Sequence, residues 1–396
     1  MTASTWAVAS VFAESTGAGA ICCDVTGDII GGATVGGGIS IGTFFFDLLE
    51  QAVKNPKIKI DMRSLVFVLV FVLLIFERKL CFIFTSLFYI IEAKEKTMSN
   101  QKIHGLTYEL SDQEVLRNYS LIQHPAKSTY RVFYSSLIQG WTTNPNLMFL
   151  PIDDHMVHRG DGIFEAIKAV DNKIYLLGAH LHRLELSAAR IEMRLPYTIE
   201  EIKEIINETL RASGLANALI RLFVSRGPGG FSTNPYECVS SQLYVVVMEL
   251  NKLAEGKYQK GVVAGASEFE PKQGWMAQVK SCNYLPNVMM KMESIKKSWD
   301  FSIGFDREGY LTEGPTENLA IIDKQGVFVY PEFRNCLKGT TLSRLIEIIL
   351  KNELCLVQQR NIFEAEILTA KEVFLIGTTL DVIAVVDWNG KKISNG

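Results

Sequence analysis

Cysteine and histidine are both scarce in this chain of 396 residues, and neither is grouped into a site. The seven cysteines form no C-x-x-C pair and have no set of histidines nearby, so no metal site is expected. All six histidines lie before residue 183, which leaves the C-terminal half without one for a Ser/His/Asp or Cys/His arrangement. Scattered cysteines of this kind favour a reduced, cytoplasmic setting.

An excess of charge of one sign is missing as well. The 40 Lys and Arg residues nearly balance the 43 Asp and Glu residues, which leaves a net charge of −3 and no basic tract. The chain therefore lacks the electrostatic footprint of a nucleic-acid-binding protein. It also has no G-x-x-x-x-G-K-[ST] loop, which disfavours a P-loop phosphotransferase. Because 48% of the residues are apolar, we expect a globular protein with more than one core.

No apolar run is long enough to cross a membrane. Two apolar blocks at 65–76 and 80–91 are each shorter than the about 20 residues of a spanning helix. Joined, they would bury three charges at 77–79, at roughly 2.5–3.5 kcal/mol for each charged residue. A membrane partner is therefore not expected. We interpret residues 1–97 as an extension outside the fold, either a misplaced start before Met98 or an anchor.

From Met98 onward the pattern is mixed α/β, and we predict two domains joined by a linker. Helical apolar spacing or strand-like runs recur at residues 201–212, 219–224, 243–248, 301–305, 319–322, 341–351 and 373–376. A turn-rich loop at 227–235 separates two of the predicted strands. The predicted division is a small α/β domain at 98–252, a linker at 253–264 and a C-terminal domain at 265–396.

One lysine and one downstream acid carry the chemistry. Lys280 follows an apolar run at 274–279, which predicts a strand end where desolvation would depress the pKa of the amine. Glu313 lies in an acidic turn that could hold a protonated ring nitrogen. A lysine that forms an imine and a carboxylate that grips a pyridine nitrogen together indicate pyridoxal phosphate. If either residue occurred alone, the simpler interpretation would be a solvent-exposed lysine or an acid in a turn.

Two Gly-Thr-Thr turns are suited to the phosphate of such a cofactor. The first, at 339–341, opens a run with helical apolar spacing, and the second, at 377–379, follows a strand-like run. Glycine permits close approach of a phosphate, and the following residues offer hydroxyl and amide donors at a helix start. Either turn alone would more simply be an ordinary cap.

These pieces together resemble the class IV aminotransferases. The resemblance also covers His180-Leu181-His182-Arg183-Leu184, a His-x-x-Arg-Leu run, and Gly160–Glu165, which fits a segment that lines the substrate pocket. It implies a two-domain α/β fold with pyridoxal 5'-phosphate between the domains, in a homodimer, and Lys280 as the catalytic residue. The implied cofactor contacts are Arg183, Lys280, Glu313, Asn318, Thr340, Thr341 and Thr378, and the implied substrate contacts are Phe164, Arg221, Tyr284 and Thr379. His180 and His182 are expected only to pack at a helix start.

The motifs leave the member of the family open. Lys280-Ser281-Cys282-Asn283 looks like the D-amino-acid branch, whereas the run from Glu313 to Asn318 looks like the branched-chain branch. Arg221 matches an arginine that seats 2-oxoglutarate in branched-chain enzymes, although the tyrosine of that motif is missing. Arg221 could equally be a structural arginine of the strand, with Arg226 as a competing carboxylate binder. We expect a transferase that moves the amino group of a branched-chain or other apolar amino acid to a 2-oxo acid. An aminodeoxychorismate lyase that releases pyruvate, a D-amino-acid aminotransferase and a phosphate-ligand-binding regulatory module are the alternatives.

Overall fold

A computed structural model of the protein describes residues 109–251 and 253–394. These residues belong to one compact unit that contains two β-sheets. The interpretations of residues 1–97, including the two apolar blocks, lie outside the described residues. Within the described part, no helix is long and apolar enough to span a bilayer. The mixed α/β class predicted from the sequence is confirmed.

The first sheet has six strands in the order β2-β1-β6-β5-β3-β4, and every neighbouring pair is antiparallel. Its strands are β1 (Tyr130–Ser135), β2 (Gly140–Thr142), β3 (Gly162–Val170), β4 (Lys173–Ile174), β5 (Ala218–Ser225) and β6 (Gln242–Glu249). The helices in this part of the chain are α1 (Asp112–Leu121), α2 (His155–Arg159), α3 (Leu177–Arg190) and α4 (Ile199–Ser213).

Alternation along β3 and β5 gives this sheet two different faces. Ile163 and Ile167 of β3 and Ile220 of β5 are fully buried in a core with residues of α3 and α4. Because side chains alternate along a strand, the residues between them point to the opposite face. Phe164 and Arg221, which lie on that face, line a cavity.

The helix that covers this sheet follows from local sequence. Thr198 caps α4 by accepting from the backbone N–H of Glu201, whose side chain reaches back to the N–H of Thr198. Ile202, Ile206 and Leu210 then recur at helical spacing and are buried against the sheet. The sequence pattern that predicted a helix at 201–212 is thereby confirmed, with a slightly longer span.

The second sheet is mixed, in the order β11-β10-β9-β12-β13-β7-β8, with β14 paired to β13. Its strands are β7 (Val262–Ala266), β8 (Phe301–Ile303), β9 (Asn318–Ile322), β10 (Phe328–Tyr330), β11 (Val357–Gln359), β12 (Glu372–Gly377), β13 (Asp381–Trp388) and β14 (Lys391–Lys392). The associated helices are α5 (Glu255–Lys260), α6 (Leu285–Lys296), α7 (Thr340–Lys351) and α8 (Glu364–Ile367).

Two local expectations differ from the structure. The run before Lys280 was predicted to end a strand, but residues 274–278 form a 3₁₀-helix. Apolar character alone does not separate a strand from a buried helical turn. The predicted linker at 253–264 contains α5, and β7 already begins at Val262. The two-domain division itself stays a prediction.

Candidate active site

All of the residues expected to contact cofactor or substrate line one cavity. They are Phe164, Arg183, Arg221, Lys280, Tyr284, Glu313, Asn318, Thr340, Thr341, Thr378 and Thr379. Residues such as Lys272 and Leu337, which the sequence motifs did not single out, line the same cavity. The cavity lies where β3 of the first sheet meets loops of the second, so both sheets contribute to it.

Backbone hydrogen bonds hold Lys280 against the first sheet. Its carbonyl accepts from the N–H of Phe164 over 2.9 Å, and its own N–H donates to the hydroxyl of Ser187 over 3.3 Å. The side chain is buried, and burial, with the nearby guanidinium of Arg183, lowers the pKa of its amine to about 7. A substantial share of the amine is therefore neutral, and nucleophilic, near neutral pH.

An aromatic pair forms the wall beside this amine. Lys280 Nζ lies 4.8 Å from the ring centroid of Phe164, and the Phe164 ring meets that of Tyr284 edge-on at 5.0 Å. Such a wall excludes water on one side of the amine while its electron-rich faces tolerate a cation. Burial and the Glu313 carboxylate raise the pKa of the Tyr284 phenol, which keeps it neutral.

Glu313 is one of two buried acids that line the cavity, with Glu317. Its side chain is buried and accepts a hydrogen bond of 2.9 Å from the backbone N–H of Leu337. Burial raises the pKa of this carboxyl group, whereas the Leu337 N–H and the ammonium groups of Lys272 and Lys280 oppose that rise. A buried acid of this kind gains a partner when a basic ring nitrogen is placed beside it.

Arg183 is held at the cavity by another buried acid, Glu165. The guanidinium of Arg183 donates to both carboxylate oxygens of Glu165, over 2.8 and 2.6 Å. Although burial alone would raise it, the pKa of Glu165 is lowered to about 2 by Arg183 and the ring of His180. Another guanidinium nitrogen donates to the carbonyl of Lys338 over 3.3 Å, beside the start of α7.

His180 joins this acid to the start of α7. Its Nδ1 lies 2.7 Å from Glu165 Oε2, and its Nε2 lies 3.3 Å from the hydroxyl of Thr340. Burial lowers the pKa of the His180 ring. His180 was expected only to pack, and it does so as part of a hydrogen-bonded link, whereas His182 is exposed. Glu165 does not line the cavity, because alternation along β3 turns it towards α3.

The first Gly-Thr-Thr turn becomes the start of α7, as its pattern predicted. Gly339 is the N-cap, and Thr340 and Thr341 are buried in the first turn, where backbone N–H groups have no partner within the helix. A Cβ at Gly339 would collide with Oδ1 of Asn318, whose side chain donates to the carbonyl of Leu337 over 2.9 Å. A side chain at position 339 would therefore force Asn318 out of this position.

The second turn closes the cavity from the end of β12. Thr378 and Thr379 follow Gly377 and line the cavity. Asp381, at the start of β13, forms an ion pair with the buried Lys168 of β3, which ties this turn to the first sheet. The turn that carries the two threonines is thus joined to β3.

Arg221 also lines the cavity, and it has no acidic partner among the residues that the structure describes. The guanidinium carbon of Arg221 lies 5.2 Å from the ring centroid of Phe164 and 5.7 Å from that of Phe223. No hydrogen bond or ion pair joins it to a carboxylate of the described residues, and burial lowers its pKa. Arg226, the expected competitor, instead binds Asp161 with two hydrogen bonds and does not line this cavity.

The donor set fits pyridoxal 5'-phosphate. The partly neutral amine suits the aldehyde of the cofactor, and the buried carboxylate suits its basic ring nitrogen. The helix start flanked by Arg183 suits its dianionic phosphate. The first turn of α7, which follows Gly339, has backbone N–H groups without partners inside the helix, and these suit an anion. Lys280, Glu313, Arg183 and Thr341 are the residues that would hold these groups.

Comparison with known proteins agrees with this geometry. The family model described as amino-transferase class IV matches residues 162–388. The chain is 34% identical over 272 residues to the D-amino-acid transaminase, chloroplastic, of Arabidopsis thaliana, covering 67% of this chain and 72% of that protein. It is 29% identical over 252 residues to the branched-chain-amino-acid aminotransferase of Pseudomonas aeruginosa, covering 61% and 80% respectively.

Solved structures show the same fold. The T.th. branched-chain amino acid aminotransferase complexed with N-(5'-phosphopyridoxyl)-L-glutamate superposes with a TM-score of 0.62 at 25% identity, covering 67% of this chain and 88% of that one. The branched-chain enzyme of Escherichia coli gives a TM-score of 0.63 at 22% identity, over 67% and 89% of the chains. The family match, the relatives and the cavity agree: the chain belongs to the class IV aminotransferases.

Proposed function

We propose that the protein binds pyridoxal 5'-phosphate and moves the amino group of a branched-chain or other apolar amino acid to a 2-oxo acid such as 2-oxoglutarate. One observation carries the proposal: the buried amine of Lys280 and the buried carboxylate of Glu313 line one cavity with Arg183 and the start of α7. When bound, the cofactor supplies an electron sink that stabilises negative charge at the substrate's α-carbon.

Lys280 has two roles in this proposal. Its Nζ, with a pKa of about 7, is the group that would hold the cofactor covalently. The same amine would also act as the general base that takes the proton from the substrate α-carbon and later gives it up again. The neighbouring Phe164 and Tyr284 rings limit access of water during this transfer.

The other proposed cofactor contacts are with the ring nitrogen and with the phosphate. Glu313 would hold the ring nitrogen in its protonated form, which would strengthen the electron sink. The N–H groups at the start of α7 and the Arg183 guanidinium would bind the phosphate. Glu165 fixes the plane of that guanidinium.

Substrate preference follows from the lining of the free side of the cavity. Phe164, Ala166 and Tyr284 offer apolar or aromatic contacts to a side chain, which favours an apolar amino donor. Arg221 is the cation available to the side-chain carboxylate of 2-oxoglutarate. The name of the Pseudomonas aeruginosa relative and the glutamate adduct of the T.th. enzyme support both halves of this assignment.

A D-amino-acid transaminase is the second candidate. The relative that is 34% identical carries that name, and the D-alanine aminotransferase of Bacillus licheniformis is 27% identical over 246 residues. Against this candidate, the loop from Gly227 to Tyr236 contains no arginine or histidine to trap a substrate carboxylate. The stereochemistry of the donor therefore separates the two candidates.

We propose further that the enzyme acts in the cytoplasm as a homodimer, with the small domain at 98–252 and the cofactor domain at 265–396. Free cysteines such as Cys336 and Cys355 support a reduced setting. The two sheets, at 130–249 and 262–392, support that division of the chain. Sedimentation of the purified protein measures its mass directly, and a monomer would contradict the dimer.

A donor screen tests the proposed function. Purified protein is incubated with L-leucine, L-valine, D-alanine or D-glutamate, and with 2-oxoglutarate or pyruvate as acceptor, while pyruvate release from aminodeoxychorismate is followed in parallel. We expect transfer from the apolar L-amino acids to 2-oxoglutarate, and none from a Lys280→Ala variant. Transfer from D-amino acids alone would establish the second candidate, and pyruvate release without transfer would establish a lyase.

A further inference from the structure

Lys168 is a buried lysine on the cavity face of β3, and no sequence motif explains it. Phe164, Ala166 and Lys168 are spaced two apart along this strand and so project from the same face, and the first two line the cavity. Only 8% of Lys168 is exposed. Burying an ammonium group is costly unless a partner compensates its charge. The partner of Lys168 is therefore the feature that explains its presence.

Asp381 is that partner, and it belongs to the other sheet. Among the described residues, it is the only acid that forms an ion pair with Lys168, and it is the first residue of β13. The ammonium also lies 5.1 Å from the ring centroid of Tyr175. Because the Lys168 side chain is only 10% exposed, the pair neutralises a buried charge and is more than a contact between two surface groups.

The backbone of Asp381 is itself unusual. Its φ is +57°, in the left-handed region that few residues other than glycine adopt. Asp381 pairs with Gly377 across the ends of β12 and β13, so Thr378, Thr379 and Leu380 form the tip of this hairpin. A conformation of this kind persists where the surrounding structure holds it in place. The ion pair with Lys168 supplies such a restraint.

The tip of the hairpin is held at a second point. The hydroxyl of Tyr258, in α5, donates to the carbonyl of Leu380 over 3.1 Å. Leu380 is buried and lines the cavity together with Thr378 and Thr379. The two threonines are thus followed directly by two anchored residues, and only one of the anchors, Asp381, connects the hairpin to the first sheet.

We propose that the Lys168–Asp381 ion pair is a latch that fixes the Thr378–Thr379 turn relative to β3 and thereby sets how well a substrate fits the cavity. Lys168 and Asp381 are positioning residues, because they act through the turn and do not touch the ligand. The effect on substrate rests on the proposed function, in which Thr379 contacts substrate. The restraint on the turn does not depend on that function.

Hydrogen–deuterium exchange of the cofactor-free protein tests the restraint itself. Lys168→Met and Asp381→Asn each remove one charge, and asparagine tolerates the left-handed conformation as aspartate does. We expect the amides of residues 376–382 to exchange about tenfold faster in either variant, and no faster in the double variant than in the singles. Lys173→Met on β4 and Glu372→Gln on β12, both at exposed positions, should leave this exchange unchanged.

Steady-state kinetics tests the consequence for substrate. The Michaelis constant for the amino donor should rise about fivefold or more in Lys168→Met and in Asp381→Asn, with a smaller change in turnover per bound cofactor. A purely structural role would lower the active fraction of the protein and leave the Michaelis constant unchanged. The dissociation constant for pyridoxal phosphate should change less than in Glu165→Gln, because Arg183 and the start of α7 stay in place.

Each remaining outcome decides the proposal. Unchanged exchange in Asp381→Asn, or effects that add in the double variant, would overturn the latch. Faster exchange with an unchanged Michaelis constant would overturn its role in substrate fit. If Lys168→Met yields no folded protein, Asp381→Asn decides both points, because 57% of the Asp381 side chain is exposed. A wild type that transfers no amino group would refute the proposed function, whereas the exchange measurement would still decide the restraint.

Discussion

The guanidinium of Arg183 donates two hydrogen bonds to the buried carboxylate of Glu165, from Nε over 2.8 Å and from a terminal nitrogen over 2.6 Å. A two-point contact of this kind fixes the plane of the guanidinium. The remaining terminal nitrogen lies beside the carbonyl of Lys338, next to the helix start that would receive a phosphate. The orientation of the arginine is therefore set before a ligand arrives.

Replacing Glu165 should loosen the phosphate end of the site. Glu165→Gln keeps the shape but leaves Arg183 buried without a counter-charge, and removing one partner of a buried pair costs about 3–5 kcal/mol. We expect the dissociation constant for pyridoxal phosphate to rise by about tenfold or more. A tenfold rise corresponds to about 1.4 kcal/mol of binding free energy. Equilibrium dialysis and thermal unfolding measure the two effects.

The control for this variant is Glu185→Gln, an exposed acid on the same helix as Arg183. It should leave cofactor affinity unchanged. Because the pKa of Glu165 is lowered to about 2, its contribution to stability is present above the ordinary carboxyl pKa and is lost as the pH falls towards 2. An unchanged affinity in Glu165→Gln would show that Arg183 needs no such support.

The rate of cofactor capture should depend on the pKa of Lys280. Below a pKa of about 7, the neutral fraction of this amine grows tenfold for each pH unit. Mixing cofactor-free protein with pyridoxal phosphate should therefore give a capture rate that rises about tenfold from pH 5 to pH 6 and levels off above about pH 7. Stopped-flow absorbance follows the reaction directly.

Lys280→Ala is the control for capture and should show none of this signal. Borohydride reduction followed by peptide mapping should place the cofactor on the peptide that contains Lys280. A rate that continues to rise up to pH 10 would mean an ordinary solvated lysine. A label on Lys272 would move the attachment site to the other lysine of the cavity.

Glu313→Gln should separate binding from turnover. The amide keeps the shape of the side chain but cannot stabilise a protonated ring nitrogen, so the electron sink weakens. We expect turnover to fall by about 100-fold or more, as when one preorganised electrostatic group is removed from an active site. The yellow colour of the bound cofactor should remain, because Lys280 and the phosphate contacts still hold it.

Absorbance and turnover of the same preparation give both measurements. Glu332→Gln, a substitution on the exposed surface, provides the matched control. Near-normal turnover in Glu313→Gln would transfer the role to Glu317, the other buried acid of this turn.

Local sequence motifs were sufficient to predict which residues of those motifs lie at the cavity. Lys280, Glu313 and the two Gly-Thr-Thr turns carry distinctive neighbours along the chain, and the structure brings all of them to one cavity. The helix start at Gly339 follows from apolar spacing after a glycine. Their chemical roles stay predictions, because a shared cavity fixes position and not reactivity.

Contacts between residues that are distant in the sequence could not be predicted from local motifs. Glu165 belongs to a segment that resembles a pocket-lining motif, but β3 pairing fixes which of its side chains face the cavity. Lys272 precedes the 3₁₀-helix at 274–278 and lies over the ring of Tyr284, a contact that no local motif indicates. Arg226 offered the same charge as Arg221, and only the structure shows it bound to Asp161.

Arg221 provides the last prediction, which concerns the acceptor. Arg221→Met removes the cavity cation that faces no acid of the described residues, so the side-chain carboxylate of 2-oxoglutarate would be buried unpaired. Truncating one partner of such a pair costs roughly 2–5 kcal/mol. The Michaelis constant for 2-oxoglutarate should rise about 30-fold or more, since about 1.4 kcal/mol corresponds to a factor of ten. The half-reaction with leucine or valine should be spared.

Single-turnover absorbance with leucine alone isolates that donor half-reaction, and steady-state rates over a range of 2-oxoglutarate concentrations give the acceptor effect. Arg211→Met, an exposed arginine in the last turn of α4, is the matched control and should change neither. Arg221→Lys keeps the charge but loses the planar fork, so it should recover only part of the acceptor affinity. If Arg221→Met slows leucine as much as 2-oxoglutarate, the arginine supports the wall formed by Phe164 and Phe223 rather than the acceptor carboxylate.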